Sequence, residues 1–197
     1  MQIITISGLD GSGKTTQINL LKNYFKQQNK RVYYFHIVQF SLANKINSFF
    51  LSFFKKNFKK QPNIKSVTHA TSGQIFLRKI FFHLDKWRFK FLCKKLKKNK
   101  YDYLLSDRYF YDSLVNIEYL SHSTWVSNIQ TPDEAFYLQT SPTVIMNRSR
   151  KPDQGIDYLQ QKKKLYDAKT KLWHWKVING DRNKEAIFEE LKKQIIH

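Results

Sequence analysis

The order of apolar segments predicts an α/β sandwich, with a five-stranded parallel sheet carrying helices on both faces. Three observations predict it. Five short apolar runs recur along the chain, and the stretches between them are long enough for helices. The first run leads through a glycine-rich loop straight into a helical pattern. No internal repeat, Gly/Ser linker or low-complexity tail interrupts the 197 residues, so one domain spanning residues 1–197 is expected.

The elements follow in order. Ile3–Ser7 reads as the first strand and Lys14–Gln28 as the helix after it, ended by Asn29 and Lys30. Val32–Ile37 is an apolar and aromatic second strand. Ile46, Phe49, Phe50, Phe53 and Phe54 then recur at helical spacing, with Lys55, Lys56, Lys59 and Lys60 after them. That pattern predicts a helix whose apolar stripe faces the core; a basic amphipathic membrane-surface helix is the alternative. Residues 74–98 form a second long helix, with Ile75, Phe76, Ile80, Leu84, Trp87 and Phe91 expected as its buried stripe. Arg78, Lys79, Lys86, Arg88 and Lys90 lie among them. Tyr103–Ser106 is a third strand ending at Asp107, Ala135–Leu138 a fourth and Trp175–Ile178 a fifth. Ligands in such sheets sit beyond the carboxyl ends of the strands.

Composition narrows the partners. Apolar content of 41%, with 16% aromatic residues, excludes a disordered chain. The formal charge of +20, from 35 Lys+Arg against 15 Asp+Glu, favours anionic partners. The excess is regional: residues 55–100 hold fifteen Lys/Arg and the single acid Asp85. Solvated helix faces explain it most simply, and weak polyanion binding through the 55–100 region is the alternative. Cys93 has no cysteine to pair with and reads as a small buried apolar residue in a reducing compartment. There is no basic-then-apolar leader and no run of about 18 apolar residues, so neither a signal peptide nor a transmembrane helix is expected and the cytoplasm is the expected location.

Two motifs carry chemistry. Gly8-Leu9-Asp10-Gly11-Ser12-Gly13-Lys14-Thr15 is a complete match to G-x-x-x-x-G-K-[ST], in the strand–loop–helix setting that the motif requires. Its glycines let successive backbone N–H groups face a phosphate, and the helix N-terminus adds partial positive charge. Lys14 reaches the β- and γ-phosphates and the Thr15 hydroxyl binds Mg²⁺ in such a loop. The second motif is Ser106-Asp107-Arg108-Tyr109 at the end of the third strand. An acid there can hold Mg²⁺, directly or through water, and Arg108 offers a bidentate fork for a phosphate. The plain structural alternative is an Asp helix cap with an Arg ion pair.

Taken together, Gly8 to Thr15 with Thr16 and Gln17, then Ser106 to Tyr109 with Ser113, resemble the thymidylate kinase family of P-loop nucleoside monophosphate kinases. The resemblance continues at Pro132-Asp133, at Arg148 to Tyr166 (similar to the family's lid, about 147–158, and the helix after it) and at Val177 to Asp181, near the adenine. It implies a P-loop NTPase three-layer sandwich that uses ATP with Mg²⁺ to phosphorylate a nucleotide-like acceptor, with dTMP the default. It implies that residues 8–16 (Gly8, Leu9, Asp10, Gly11, Ser12, Gly13, Lys14, Thr15 and Thr16) hold ATP. It implies Lys14 and Arg108 as catalytic residues, Thr15 and Asp107 at the metal, and Asp10 near the acceptor sugar and phosphate. Some members carry a basic residue inside the loop and others carry lid arginines. Here the loop position is Gly11, so Arg148 and Arg150 are the expected catalytic cations, with Lys151 also available. The helical region of about 38–100 is expected to bind the acceptor, with Phe81 or Phe82 stacking on the base, Asp85, Lys86 or Arg88 near its reader, and Arg108 and Tyr109 beside the phosphate. A homodimer is an expectation from resemblance alone.

The chain departs from the family where the acceptor pocket is shaped. His36-Ile37-Val38-Gln39-Phe40 stands where an Arg-Glu-Pro-Gly-like segment is usual, and Val115-Asn116-Ile117 where Ala-Tyr-Gln is frequent. A related kinase acting on another nucleotide, nucleoside or small metabolite therefore stays open. So does a nucleotide-gated binding protein using the basic 55–100 region.

Overall fold

The computed structural model describes residues 1–42, 70–149 and 151–196. In chain order these form β1 (Gln2–Ser7), α1 (Lys14–Gln27), β2 (Val32–His36), α2 (Ile37–Phe40), α3 (Ser72–Lys98) and β3 (Tyr103–Asp107). Then come α4 (Phe110–Ser121), β4 (Glu134–Gln139), α5 (Pro142–Met146), α6 (Gly155–Lys169), β5 (Lys176–Asn179) and α7 (Lys184–Ile196). The five strands lie in the order β2-β3-β1-β4-β5, and every pairing is parallel. All five strands predicted from the sequence are present. Ile37, read as the end of the second strand, instead opens the short helix α2, capped by the His36 side chain.

Register positions the site. Ile6 and His36 are both opposite Asp107, and Ser7 is opposite Tyr137. The loop after β1 thus leaves the sheet beside the end of β3. Side chains alternate between two cores because successive residues of a strand point to opposite faces. Ile3, Leu104 and Tyr137 join Phe89, Phe110 and Leu159 on one face. Ile4, Leu105 and Phe136 join Ile18, Leu21 and Leu191 on the other.

The long helix α3 corrects one expectation. Its buried residues are Phe82, Asp85, Phe89, Cys93 and Leu96. Ile75 is only half-buried, and the rest of the expected core stripe, Phe76, Ile80, Leu84, Trp87 and Phe91, points outward. The helix is apolar on two opposite faces, and periodicity alone does not say which one meets the core. Ring packing decides it: Phe82 and Phe89 stand edge-on to Phe110 in α4, at 5.6 and 5.3 Å between centroids. The stretch of Ile46 to Phe54 and Lys55, Lys56, Lys59 and Lys60, read as a helix with a core or membrane face, lies outside the described residues.

Candidate active site

The glycine-rich loop closes tightly against β4. Gly8 has φ +145° and an added Cβ would lie 2.7 Å from the Leu138 carbonyl oxygen, so no other residue fits without moving β4. Gly13, at φ +102°, caps α1 in the left-handed region. Leu9 and Ser12 are buried, and Gly11, Thr15 and Thr16 are exposed at the loop surface and the start of α1. Lys14 is buried, and its ammonium donates to the Leu9 carbonyl at 2.5 Å and to Ser12 Oγ at 3.4 Å. Burial, helped by Arg108, lowers its pKa to about 8 against the pull of Asp10, Asp112 and Asp107.

Oxygen atoms that could hold a cation meet at the edge of this loop. Thr15 Oγ1 donates to Asp107 Oδ2 at 2.5 Å, and the Tyr34 hydroxyl donates to the same oxygen at 3.2 Å. Burial and the Asp107 charge push the Tyr34 phenol up to about 12, so it stays a donor. Asp107 Oδ1 is buried with no hydrogen-bond partner. A hydroxyl and an unsatisfied carboxylate oxygen are hard donors that suit Mg²⁺. Among the described residues no cluster of three His, Cys, Asp or Glu could cage a metal.

Beside it lies a second charged cluster. Arg108 takes φ +69°, a conformation costing about 1–3 kcal/mol in a non-glycine residue. It is held by its N–H to the Ile6 carbonyl at 3.2 Å and by Ser106 Oγ, which donates to the Arg108 carbonyl at 2.5 Å. The turn aims Arg108 Nη2 at Asp10 Oδ1, with which it forms an ion pair. Tyr158 on α6 donates to Asp10 Oδ2 at 3.2 Å. Burial alone would raise the Asp10 pKa, but Arg108, Lys162 and Lys14 outweigh it and hold the carboxyl far below the usual range. Lys162, buried on α6, donates to Asn116 Oδ1 and to the Tyr158 hydroxyl. Behind these, Asp112 accepts from Ser7 Oγ at 2.7 Å, the Tyr109 N–H at 2.8 Å and the Tyr166 hydroxyl at 2.7 Å. Lys14, Arg108 and Lys162 thus face Asp10, Asp107 and Asp112, three charges of each sign.

Arg148 straps the loop from above. Its Nη1 donates to the Gly11 carbonyl at 2.6 Å and its Nη2 to the Gly180 carbonyl at 3.0 Å. Gly180 follows β5, beside a cleft of about 480 Å³ lined by Gln139, Ser141, Asn179, Asp181 and Arg182 among others. That is the region expected near the adenine. Arg150 lies outside the described residues.

The acceptor candidates divide. Asp10 and Arg108 join the loop. Phe82 is packed between Phe110 and Trp125, whereas Phe81 is half-exposed. Arg88 donates to Asp85 at 2.6 Å and to the Phe40 carbonyl at 3.0 Å, and lies over the Phe40 ring. Asp85 also accepts from the Leu42 N–H, so this pair anchors residues 40–42 to α3. Tyr109 is fully buried, its hydroxyl on the Gln130 carbonyl. Sequence reasoning missed Tyr34, Asp112 and Lys162. The i,i+4 spacing of Tyr158 and Lys162 was the only available signal for the last.

Comparison with known proteins agrees with this geometry. The family model described as Thymidylate kinase matches residues 6–191. The chain is 26% identical over 208 residues to the thymidylate kinase of Plasmodium falciparum, covering 98% of this chain and 89% of that one. It is 25% identical to that of Thermosipho africanus, covering 96% and 94%. Among solved structures, thymidylate kinase from Candida albicans superposes with a TM-score of 0.67 at 16% identity, over 99% and 91% of the two chains. That from Ehrlichia chaffeensis gives 0.59 at 19% identity, over 98% of each. A family match over nearly the whole chain, a shared fold and a complete phosphate-binding loop lead to one conclusion: the chain belongs to the thymidylate kinase family.

Proposed function

We propose that the protein transfers the γ-phosphoryl group of ATP to the phosphate of dTMP, giving dTDP and ADP. The single observation that carries a phosphate acceptor, rather than a hydroxyl, is the state of Asp10. Arg108 and Tyr158 occupy its two oxygens, and the cations around it favour its ionised form, so it is poorly suited to take a proton from a sugar hydroxyl. A phosphate oxygen is already anionic and needs no base. It attacks the γ-phosphorus in line, the new O–P bond forms, the bond to the β–γ bridging oxygen breaks, and ADP leaves. The choice of dTMP is supported by the family and by the relatives named above.

The roles follow from position. Lys14 turns from its loop partners to the β- and γ-phosphates, and Arg148, held against the loop at Gly11, meets the charge on the transferring group. Arg108 grips the acceptor phosphate. Thr15 and Asp107 would hold Mg²⁺, which when bound neutralises phosphate charge. A homodimer is supported by the outward face of α3. There Leu77, Ile80, Leu84, Trp87 and Phe91 follow 3-4 spacing and each is at least 40% exposed.

The test is an acceptor panel with coupled ADP release. Turnover with dTMP is expected, and Lys14→Ala should lower it about 10³-fold while the far-ultraviolet spectrum stays unchanged. Turnover with another acceptor and none with dTMP would reject the assignment. Full activity in Lys14→Ala would reject the mechanism.

A further inference from the structure

Lys162 is a buried cation that the proposed chemistry leaves without a task. It is 1% exposed, and its two hydrogen-bond partners, Asn116 Oδ1 and the Tyr158 hydroxyl, are both neutral. Its neighbours in the lysine run go elsewhere: Lys163 pairs with Asp167 at 2.6 Å and Lys164 is exposed. A buried ammonium with no carboxylate in contact costs several kcal/mol, so its position calls for a reason. The Tyr158 hydroxyl supplies one, because it accepts from Lys162 and donates to Asp10, each at 3.2 Å. Two cations are therefore tied to Asp10 by hydrogen bonds, Arg108 directly on Oδ1 and Lys162 through Tyr158 on Oδ2, while Lys14 acts on it without one.

An acceptor phosphate gripped by Arg108 competes with Asp10 for that guanidinium. With Lys14 drawn to the ATP phosphates, Asp10 without Lys162 would be left as a poorly compensated, largely buried carboxylate, and Arg108 would resist leaving it. We propose that Lys162 is a positioning residue of the acceptor site, the standing counter-ion that keeps Asp10 compensated while Arg108 turns to the acceptor phosphate. This rests on the phosphate-acceptor reading above. Lys162 touches no substrate and acts through Asp10.

The test uses the full chain with Lys162→Met, titrated by calorimetry with dTMP and with thymidine. The Kd for dTMP should rise about tenfold, the loss of about 1.4 kcal/mol of binding. Binding of thymidine and the KM for ATP should move less than about twofold, since neither draws Arg108 from Asp10. In an Asp10→Asn background the same change should cost less than about twofold, because no carboxylate remains to compensate. Unchanged dTMP affinity, equal loss of dTMP and thymidine, or an undiminished loss in the Asp10→Asn background would each overturn the proposal. If Lys162→Met does not fold, Tyr158→Phe removes the linking hydroxyl and should weaken dTMP alone, about threefold; no such selectivity overturns it equally. If the wild-type protein binds no dTMP, the acceptor assignment has failed instead. The same arms are then run with the nucleoside monophosphate it phosphorylates and the matching nucleoside.

Discussion

The Thr15 hydroxyl donates to Asp107 Oδ2 at 2.5 Å, joining the first turn of α1 to the last residue of β3. The bond leaves Asp107 Oδ1 buried and unpartnered. Asp107→Asn should therefore raise the Mg²⁺ concentration needed for half-maximal rate by about tenfold or more, since the site loses its full negative charge. Thr15→Ala should act in the same direction. A Mg²⁺ titration of turnover checks both, and unchanged curves would remove these residues from the metal site.

Arg148 bridges the Gly11 and Gly180 carbonyls, so it spans the loop and the segment after β5. Arg148→Ala is expected to lower kcat about 10²–10³-fold and to raise the KM for ATP, with little change in Tm. Arg148→Lys should rescue little, because one ammonium lacks the fork that reaches both carbonyls. Steady-state kinetics with thermal melts separates loss of function from loss of fold.

At saturating ATP, kcat/KM for the acceptor should fall above about pH 8 as Lys162 loses its proton. Burial lowers its pKa to about 8, with Arg108 adding to that and Asp10 and Asp112 opposing it. Tyr158 and Tyr166 beside it are pushed well above their ordinary value and stay neutral. The charge is thus present below about pH 8 and absent above it. Lys14 lies near the same value in the free protein, but bound ATP phosphates hold it protonated. A pH–rate profile that keeps this limb in Lys162→Met would reject the attribution.

The outward face of α3 predicts a self-association that two charges should break. Leu84→Glu with Trp87→Glu places carboxylates in the centre of the stripe. Sedimentation should show a dimer for the wild-type protein and a monomer for the double variant, because burying unpaired carboxylates costs several kcal/mol. A wild-type monomer at micromolar concentration would reject the homodimer.

What could be seen in the sequence depended on whether local chemistry or distant packing decides. The phosphate loop needs Gly8, Gly13 and Lys14 at fixed spacing, so it is visible from residues alone. The strands are short apolar runs in a parallel sheet and are visible for the same reason. The face of α3 was not, because Phe82 and Trp87 are both apolar and distant rings, Phe110 and Trp125 among them, determine which turns inward. Lys162 sits in a run of three lysines, and helix phase relative to Asn116 and Tyr158 selects the one that is buried. Arg88 was expected near the base, with Asp85 and Lys86 as alternatives, because the family resemblance puts a base-reading arginine on that helix. Its guanidinium is engaged by its neighbour Asp85 and the Phe40 carbonyl, contacts that depend on packing of residues 40–42 and are not legible locally.

The placement of β1 has a consequence for synthesis of the chain. β1 is the centre of the sheet, hydrogen-bonded to β3 on one side and β4 on the other, and it is synthesised before both. Its partners begin only at Tyr103 and Glu134, so β1 must wait until the chain has been made through β4 before both its edges close. Until then β1 presents apolar Ile3, Ile4 and Ile6 with open edges, the kind of segment that nascent chains shield with chaperones. The loop that follows β1 is thus made well before the sheet that holds it, and a pause of translation before Glu134 prolongs the time that β1 stays open.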